Sequence, residues 1–460
     1  MVTGPMLLVI FLVGIAFVLV SIIKFRINPF LVLLMAAIFI GLLARMPIGE
    51  IPNTAATGFG NTLKGIGIII GLGIVLGQIL SEASGTEQIA NKMVKAVGIK
   101  NSPLAMNLTG ALISIPVFFD AAFVILISLA KQLAKKTKTP LITYATSLAV
   151  GLIVTHSLVI PTPGPVAVAG NMSANMGFFL LYSLIVALPA SLLGGWIYGM
   201  YLGKGKTDAL ISDAAEQAAA SLEETASEYK ENTGNQNKPS GSLAIFVLLF
   251  PIVLILMGTV MSMVLPKDSA SMPIFTFLGD KNIALLIGVI VAVLLLKKYF
   301  KKPLEEIMVD AGKSAGMIFL ITGAGGALGN VINATGIGKY IVDTLSGWNV
   351  SVIVLAFILS QVLRAAQGST TVALVTTSAI LAPVAAQMGA SPILVGLAIC
   401  CGGVGISLPN DSGFWVVSRF ANFGIKDTMK CWTVGGTIAG VTGFAVVLIL
   451  NMFVGILPGL

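Results

Sequence analysis

Residues Gly402–Trp415 read GGVGISLPNDSGFW. They lie between the apolar runs Pro392–Cys401 and Phe414–Val417, a position deep in a bilayer, yet they include glycines, a proline and the triplet Pro409-Asn410-Asp411. A proline removes a backbone donor and glycines weaken a helix, so the segment is expected to be unwound. Broken backbone in hydrocarbon is tolerated only where protein or a watery cavity surrounds it. An ionisable residue at that depth is costly and marks a functional site by default.

The surrounding chain supports that depth. Hydrophobic residues make up 56% of it and charged residues only 10%, with a mean hydropathy of +0.99. Such a composition excludes an ordinary soluble domain and implies an all-α, polytopic membrane protein. No cleavable leader is expected: Met6–Ile23 is long enough to span, and its basic pair Lys24/Arg26 follows the run. Cys400, Cys401 and Cys431 lack metal-ligand spacing and read as packing residues, so neither metal nor cofactor is expected. The net charge of +8 orients the chain and does not mark a nucleic-acid binder.

Runs of spanning length occur at 6–23, 29–43, 65–80, 140–160, 178–202, 243–265, 283–296, 315–332, 392–406 and 434–454. Two further stretches, 104–133 and 350–387, are interrupted in the middle by IPVFFDAA (Ile115–Ala122) and RAAQGSTT (Arg364–Thr371). Lysines flank the first on both sides: Lys92, Lys95 and Lys100 before it, Lys131, Lys135, Lys136 and Lys138 after it. It is therefore expected to be a re-entrant hairpin opening to the cytoplasm. The second has almost no flanking basic residues and is expected to open outward. With ten spans and two hairpins, the basic residues gather on one side, with both termini outside and the polar linker 204–241 in the cytoplasm.

The halves resemble each other. Gly65–Gly85 aligns with Gly316–Gly336, Asp120 with the region of Thr371, and Pro161 with Pro409. The offset is about 250 residues throughout, which marks an internal repeat. Residues 1–203 and 242–460 then form two units of five spans and one hairpin. An odd number of spans places them in opposite orientations, the inverted-repeat plan of secondary transporters.

On that plan four breaks meet near the midplane: Pro116–Ala122, Thr155–Pro165, Ala366–Thr371 and Gly405–Gly413. Half-helix N-termini there offer free N–H groups and positive dipole ends to an anion. Candidate substrate contacts are Phe119, Asp120, His156, Thr162, Gly164, Gln367, Gly368, Ser369, Thr370, Thr371, Asn410, Asp411 and Ser412. Ser369, Thr370 and Thr371 suit a carboxylate, although ordinary helix capping uses the same groups. Asn410 both donates and accepts, which suits a polyol. Asp120, Asp411 and the lone histidine, His156, are the candidate proton carriers. For Asp411 a permanently ionised helix cap is the alternative. Arg364 is a charge inside the second hairpin; a structural pairing with an aspartate is expected ahead of substrate contact.

VTHSLVIPTPGP (Val154–Pro165), GSTTVA (Gly368–Ala373) and PNDSGFW (Pro409–Trp415) resemble the gluconate:proton symporter (gluconate permease) family of the ion-transporter superfamily. The resemblance covers the chain apart from the linker. It implies a dimeric scaffold-and-transport-domain protein in the cytoplasmic membrane of a prokaryote, moving a small hydroxy-carboxylate by an elevator mechanism. The chain departs from the family pattern at Asp120, where gluconate carriers have glutamate. It departs again at Thr162, where they tend to read HPGP, and at Ser412, where they read NDPGF. Such changes admit other small acids, including glycerate or a zwitterion such as D-serine, and sodium coupling is the alternative to protons.

Two other classes fit less well. An intramembrane aspartyl protease needs a dyad, and neither aspartate sits in a GxGD pattern. A channel usually builds its re-entrant loops from identical copies around an axis; the two hairpin tips here differ.

Overall fold

A computed structural model describes residues 2–204, 238–266, 268–337, 340, 351–409 and 411–460. Asn410, residues 341–350 and most of the linker lie outside it, including the short helix expected within 204–241. The side chains of Leu19, Ile22, Ile23, Ala366 and Gln367 are also outside the described set.

The described residues form helices and no strands. In chain order they are α1 Met6–Ile23, α2 Pro29–Leu43, α3 Glu50–Glu82, α4 Gly85–Val97, α5 Ser102–Ile113 and α6 Phe119–Thr137. Then come α7 Leu141–Leu158, α8 Pro163–Asn171, α9 Met176–Gly203, α10 Gly241–Val264, α11 Met272–Gly279 and α12 Lys281–Leu296. The last six are α13 Leu304–Ala334, α14 Val352–Gln367, α15 Thr370–Gln387, α16 Pro392–Gly402, α17 Ser412–Ala421 and α18 Ile425–Asn451. Among the described residues, 8 helical stretches are long and apolar enough to cross a membrane, and shorter apolar helices accompany them. This is a multi-pass, all-helical membrane protein.

Both interrupted stretches are helical hairpins, α5–α6 and α14–α15. Both expected breaks in spanning helices are present too, between α7 and α8 and between α16 and α17. The last long helix of each half, α9 and α18, carries one π turn, at Leu192–Ile197 and Met429–Val434. Such turns insert a residue into the helical ladder and re-aim the side chains beyond it.

Besides the early start of α18 at Ile425, three features differ from expectation. α3 starts at Glu50, well before the apolar run at Gly65, and α13 starts at Leu304. Their polar first halves are helical because the two helices pack along each other. At about 1.5 Å per residue α3 is about 50 Å long, more than the roughly 30 Å of hydrocarbon. The crossing is close: a Cβ on Gly58 would lie 2.6 Å from Asn330 Cβ and would run into the Gly326 carbonyl. Only glycine permits that approach. The third difference concerns Asp120. The first hairpin turns at Ser114–Phe118, so Asp120 sits in the first turn of α6 and outside the loop itself.

The interrupted helices form the core. Every residue of α7 from Ile142 to Leu158 is buried, as is every residue of α16 from Ile393 to Gly402. α15 and α18 flank α16, while α5, α6 and α9 flank α7.

Candidate functional site

Each break has a local cause. Pro161 and Pro163 end the ladder of α7, and Thr162 leads into α8. Gly368, with φ of 73°, closes α14 in the left-handed conformation that glycine adopts freely. Ser369 then caps α15, its hydroxyl accepting the Val372 N–H at 3.4 Å. Asp411 caps α17 by accepting the Gly413 N–H at 3.0 Å. These are standard solutions for the free N–H groups at a helix start.

The breaks converge. Arg364, in the last turn of α14, donates through Nη2 to Asp411 Oδ2 at 2.6 Å, and both side chains are buried. His156, in the last turn of α7, lies within electrostatic reach of Arg364 and 6.0 Å from the Phe118 ring at the first hairpin turn. Asp120, two residues on, lies within electrostatic reach of Asp411. Gly164, at the start of α8, faces α15: a Cβ there would stand 2.8 Å from Leu374 Cδ1 and 3.7 Å from Thr371 Cα. Both hairpins and both broken helices therefore contribute to one centre.

Its electrostatics are unequal. Asp411 Oδ2 also accepts the Trp432 indole N–H at 2.9 Å and the Ser407 hydroxyl. Arg364 is the opposite case. It is 1% exposed, and among the described residues its Nε and Nη1 have no hydrogen-bond partner. His156 Nδ1 is buried and likewise without a partner among the described residues. Buried polar atoms are nearly always satisfied, and exceptions call for a ligand or a functional reason. The two guanidinium nitrogens are donors suited to a carboxylate, and the imidazole nitrogen, a donor or an acceptor by tautomer, suits a hydroxyl.

The remaining candidates divide. Asp120 and Ser412 are exposed, Ser369 and Thr371 are half-buried, and Phe119, Gly368 and Thr370 are buried. Thr162 is buried and its hydroxyl donates to the Val159 carbonyl, so it stabilises its own turn. Asn410 and the Gln367 side chain lie outside the described residues. A cavity of about 400 Å³ beside α14 is lined by Ile358, Gln361, Val362, Ala365, Ile406 and Leu408. Those walls suit hydrocarbon better than an acid. Among the described residues no cluster of histidine, cysteine and carboxylate side chains suits a metal.

Two contributors carry no clear sequence signal. Ser407 lies inside the quoted break but precedes its proline-polar triplet. Trp432 precedes the last apolar run and reads as packing; its fully buried indole reaches Asp411 only because α18 begins at Ile425 and turns through a π turn.

The fold has solved counterparts. A transporter structure, YdaH of Alcanivorax borkumensis, superposes with a TM-score of 0.61 over 89% of this chain and 90% of its own, at 14% identity. Sequence relatives are nearer. The chain is 34% identical to a protein named high-affinity gluconate transporter of Escherichia coli strain K12, across 97% of this chain and all of that one. It is 34% identical to the inner membrane permease YgbN of the same strain, across 96% and 97%. The model of the GntP family of permeases matches residues 6–453, a span that contains both hairpins, both breaks and the buried Arg364–Asp411 pair. The chain belongs to the GntP permease family.

Proposed function

We propose that this permease is a secondary active transporter and not an enzyme, carrying a small hydroxy-carboxylate into the cell together with a proton. The substrate class is gluconate or a related sugar acid, in keeping with the name of the relative above. The observation that carries the proposal is Arg364, a fully buried cation with two of its three nitrogens unused among the described residues, beside a hairpin turn of small hydroxyl residues. A guanidinium is suited to a carboxylate, and Ser369, Thr370 and Thr371 add hydroxyls. His156 supplies a further group for a hydroxyl of the substrate.

The architecture proposed with it is a pair of inverted repeats, 1–203 and 242–460, joined by a cytoplasmic linker. Both termini lie outside the cytoplasmic membrane of a bacterium. Interrupted helices at the interface of such repeats are where carriers bind their cargo. A homodimer with an elevator-like movement of the hairpin-bearing part accounts for access from both sides. Asp120, exposed at the mouth of the site, is the first candidate for the proton. Sodium coupling is the second reading, because the buried hydroxyls of Thr376 and Thr377 on α15 lack partners among the described residues and are of the kind that ligate that ion.

Uptake of labelled gluconate into proteoliposomes, driven by an imposed pH gradient in sodium-free buffer, tests the proposal. Accumulation that collapses with a protonophore is expected. Accumulation only with a sodium gradient transfers the coupling to sodium, and no uptake of any aldonate under either gradient overturns the substrate class.

A further inference from the structure

Asp411 is held in an unusual way for a partner of arginine. Arginine–carboxylate pairs tend to close as a two-pronged grip, two N–H groups to two oxygens. Here Arg364 gives only Nη2, at 2.6 Å, and only to Oδ2. Oδ1 is turned away, onto the Gly413 N–H at 3.0 Å. Oδ2 receives two more donors, the Ser407 hydroxyl and the Trp432 indole N–H at 2.9 Å. The carboxylate is thus fixed in one rotation by a clamp from three elements.

The clamp is itself anchored. Trp432 Nε1 lies 2.6 Å from Ser407 Oγ. Thr433 donates to the Ser407 carbonyl, and the Thr437 hydroxyl accepts the Ile406 N–H at 3.0 Å. One face of α18 therefore holds the unwound strand before α17. The Trp432 ring packs against Phe119 of the first hairpin, with ring centres 4.5 Å apart. The aromatic body serves packing, while the one N–H is shared between Ser407 Oγ and Asp411 Oδ2, so the two roles are separable by substitution.

We propose that Trp432 and Ser407 are positioning residues for substrate binding. By saturating Asp411 Oδ2 they keep the ion pair single-pronged, which leaves Arg364 Nε and Nη1 free for the acid. Without the clamp, Asp411 rotates toward the guanidinium, takes a second N–H and competes with the substrate for the same donors. This rests on the reading of Arg364 as the carboxylate's partner.

The test is gluconate uptake by purified, reconstituted protein, measured as half-saturation concentration and maximal rate. Trp432→Phe keeps the ring and removes the donor; Ser407→Ala removes the other. Each is expected to raise half-saturation about tenfold, the scale of one hydrogen bond to a charged group. Maximal rate and unfolding midpoint stay near wild type. A purely structural role lowers rate and midpoint together, and that pattern in both variants overturns the proposal. So does an unchanged half-saturation in either variant that folds. Arg364→Lys separates the two levels: if it weakens gluconate and the clamp variants do not, only the clamp role falls. If it leaves gluconate unaffected, the reading of Arg364 falls first.

Discussion

Arg364 and Asp411 stand 47 residues apart in the chain and 2.6 Å apart in the fold, as an ion pair with both partners buried. Removing two charges from water costs more than their attraction returns unless further hydrogen bonds complete the site. Asp411 has that completion, and Arg364 has only part of it. The pair is therefore poorly explained as a stabilising device and better explained as a held cation.

A first prediction follows from that asymmetry. Arg364→Gln leaves a buried carboxylate without its cation and is expected to destabilise by about 3–5 kcal/mol. The double replacement Arg364→Met/Asp411→Leu recovers most of the loss, because no charge remains buried, yet binds no gluconate. Unfolding midpoints in detergent, with binding measured alongside, check both. Midpoints for Arg364→Gln equal to wild type would mean that the pair is solvated.

The crossing of α3 and α13 gives a second prediction. Gly58 meets the Gly326 backbone, and Asn330 Nδ2 donates across it to the Thr54 carbonyl at 2.7 Å. Gly58→Val is expected to cost about 1–3 kcal/mol by overpacking. Gly60→Ala, half a turn away with nothing within 4 Å of the added Cβ, serves as the control and leaves the midpoint at or slightly above wild type. Equal effects at the two positions would place the contact elsewhere.

A third prediction concerns the first hairpin. Asn107 of α5 donates to the carbonyls of Ser147 at 2.9 Å and Ser191 at 3.2 Å, and accepts the Ser191 hydroxyl at 3.0 Å. Tyr144 of α7 lies 2.6 Å from the Ser102 hydroxyl and 2.8 Å from that of Thr137, joining both ends of the hairpin. Asn107→Leu strands the Ser191 hydroxyl and is expected to cost about 1–3 kcal/mol in unfolding midpoint. Because α5 is fastened to α7 and α9 in this way, a neutral result would argue that the network is water-filled.

How much of this was legible depends on which residues are expensive. Proline, glycine and carboxylate inside apolar runs carry a large penalty in hydrocarbon, so the hairpins and the breaks at Pro161 and Pro409 stood out from the sequence. Glu50–Lys64 carries no such signal: its helix exists because α13 covers it, a tertiary fact that hydropathy does not report. Asp120 looked like a loop residue because PVFF precedes it, and the helix starts one residue earlier, at Phe119. Trp432 was illegible for another reason. An aromatic beside an apolar run is normally core, and its N–H finds Asp411 only after the chain has folded back on itself.

Topology supplies a fourth prediction. If the halves are inverted repeats with the first hairpin opening inward, Lys135 and Lys297 face the same compartment. Cysteine placed at each position in a background lacking Cys400, Cys401 and Cys431 should react with an impermeant maleimide only from the cytoplasmic side. Opposite sidedness would dismantle the repeat arrangement and the proposed mechanism with it.

The last prediction addresses the proton. A carrier group must exchange with water and sense the substrate, and the three candidates meet those conditions unequally. Asp411 is buried and its oxygens are occupied by four donors, so it has little contact with water. His156 is buried, with one ring nitrogen unpartnered among the described residues. Asp120 is exposed, and its neighbour Phe119 packs against Trp432, the partner of Asp411, so it meets water beside the site. Asp120→Asn keeps the shape and removes the titratable group. It is expected to abolish accumulation driven by a pH gradient while preserving gluconate counterflow, which needs binding and movement but no net proton transfer. Accumulation at the wild-type level in Asp120→Asn would take Asp120 out of the coupling step and leave His156 as the group to test.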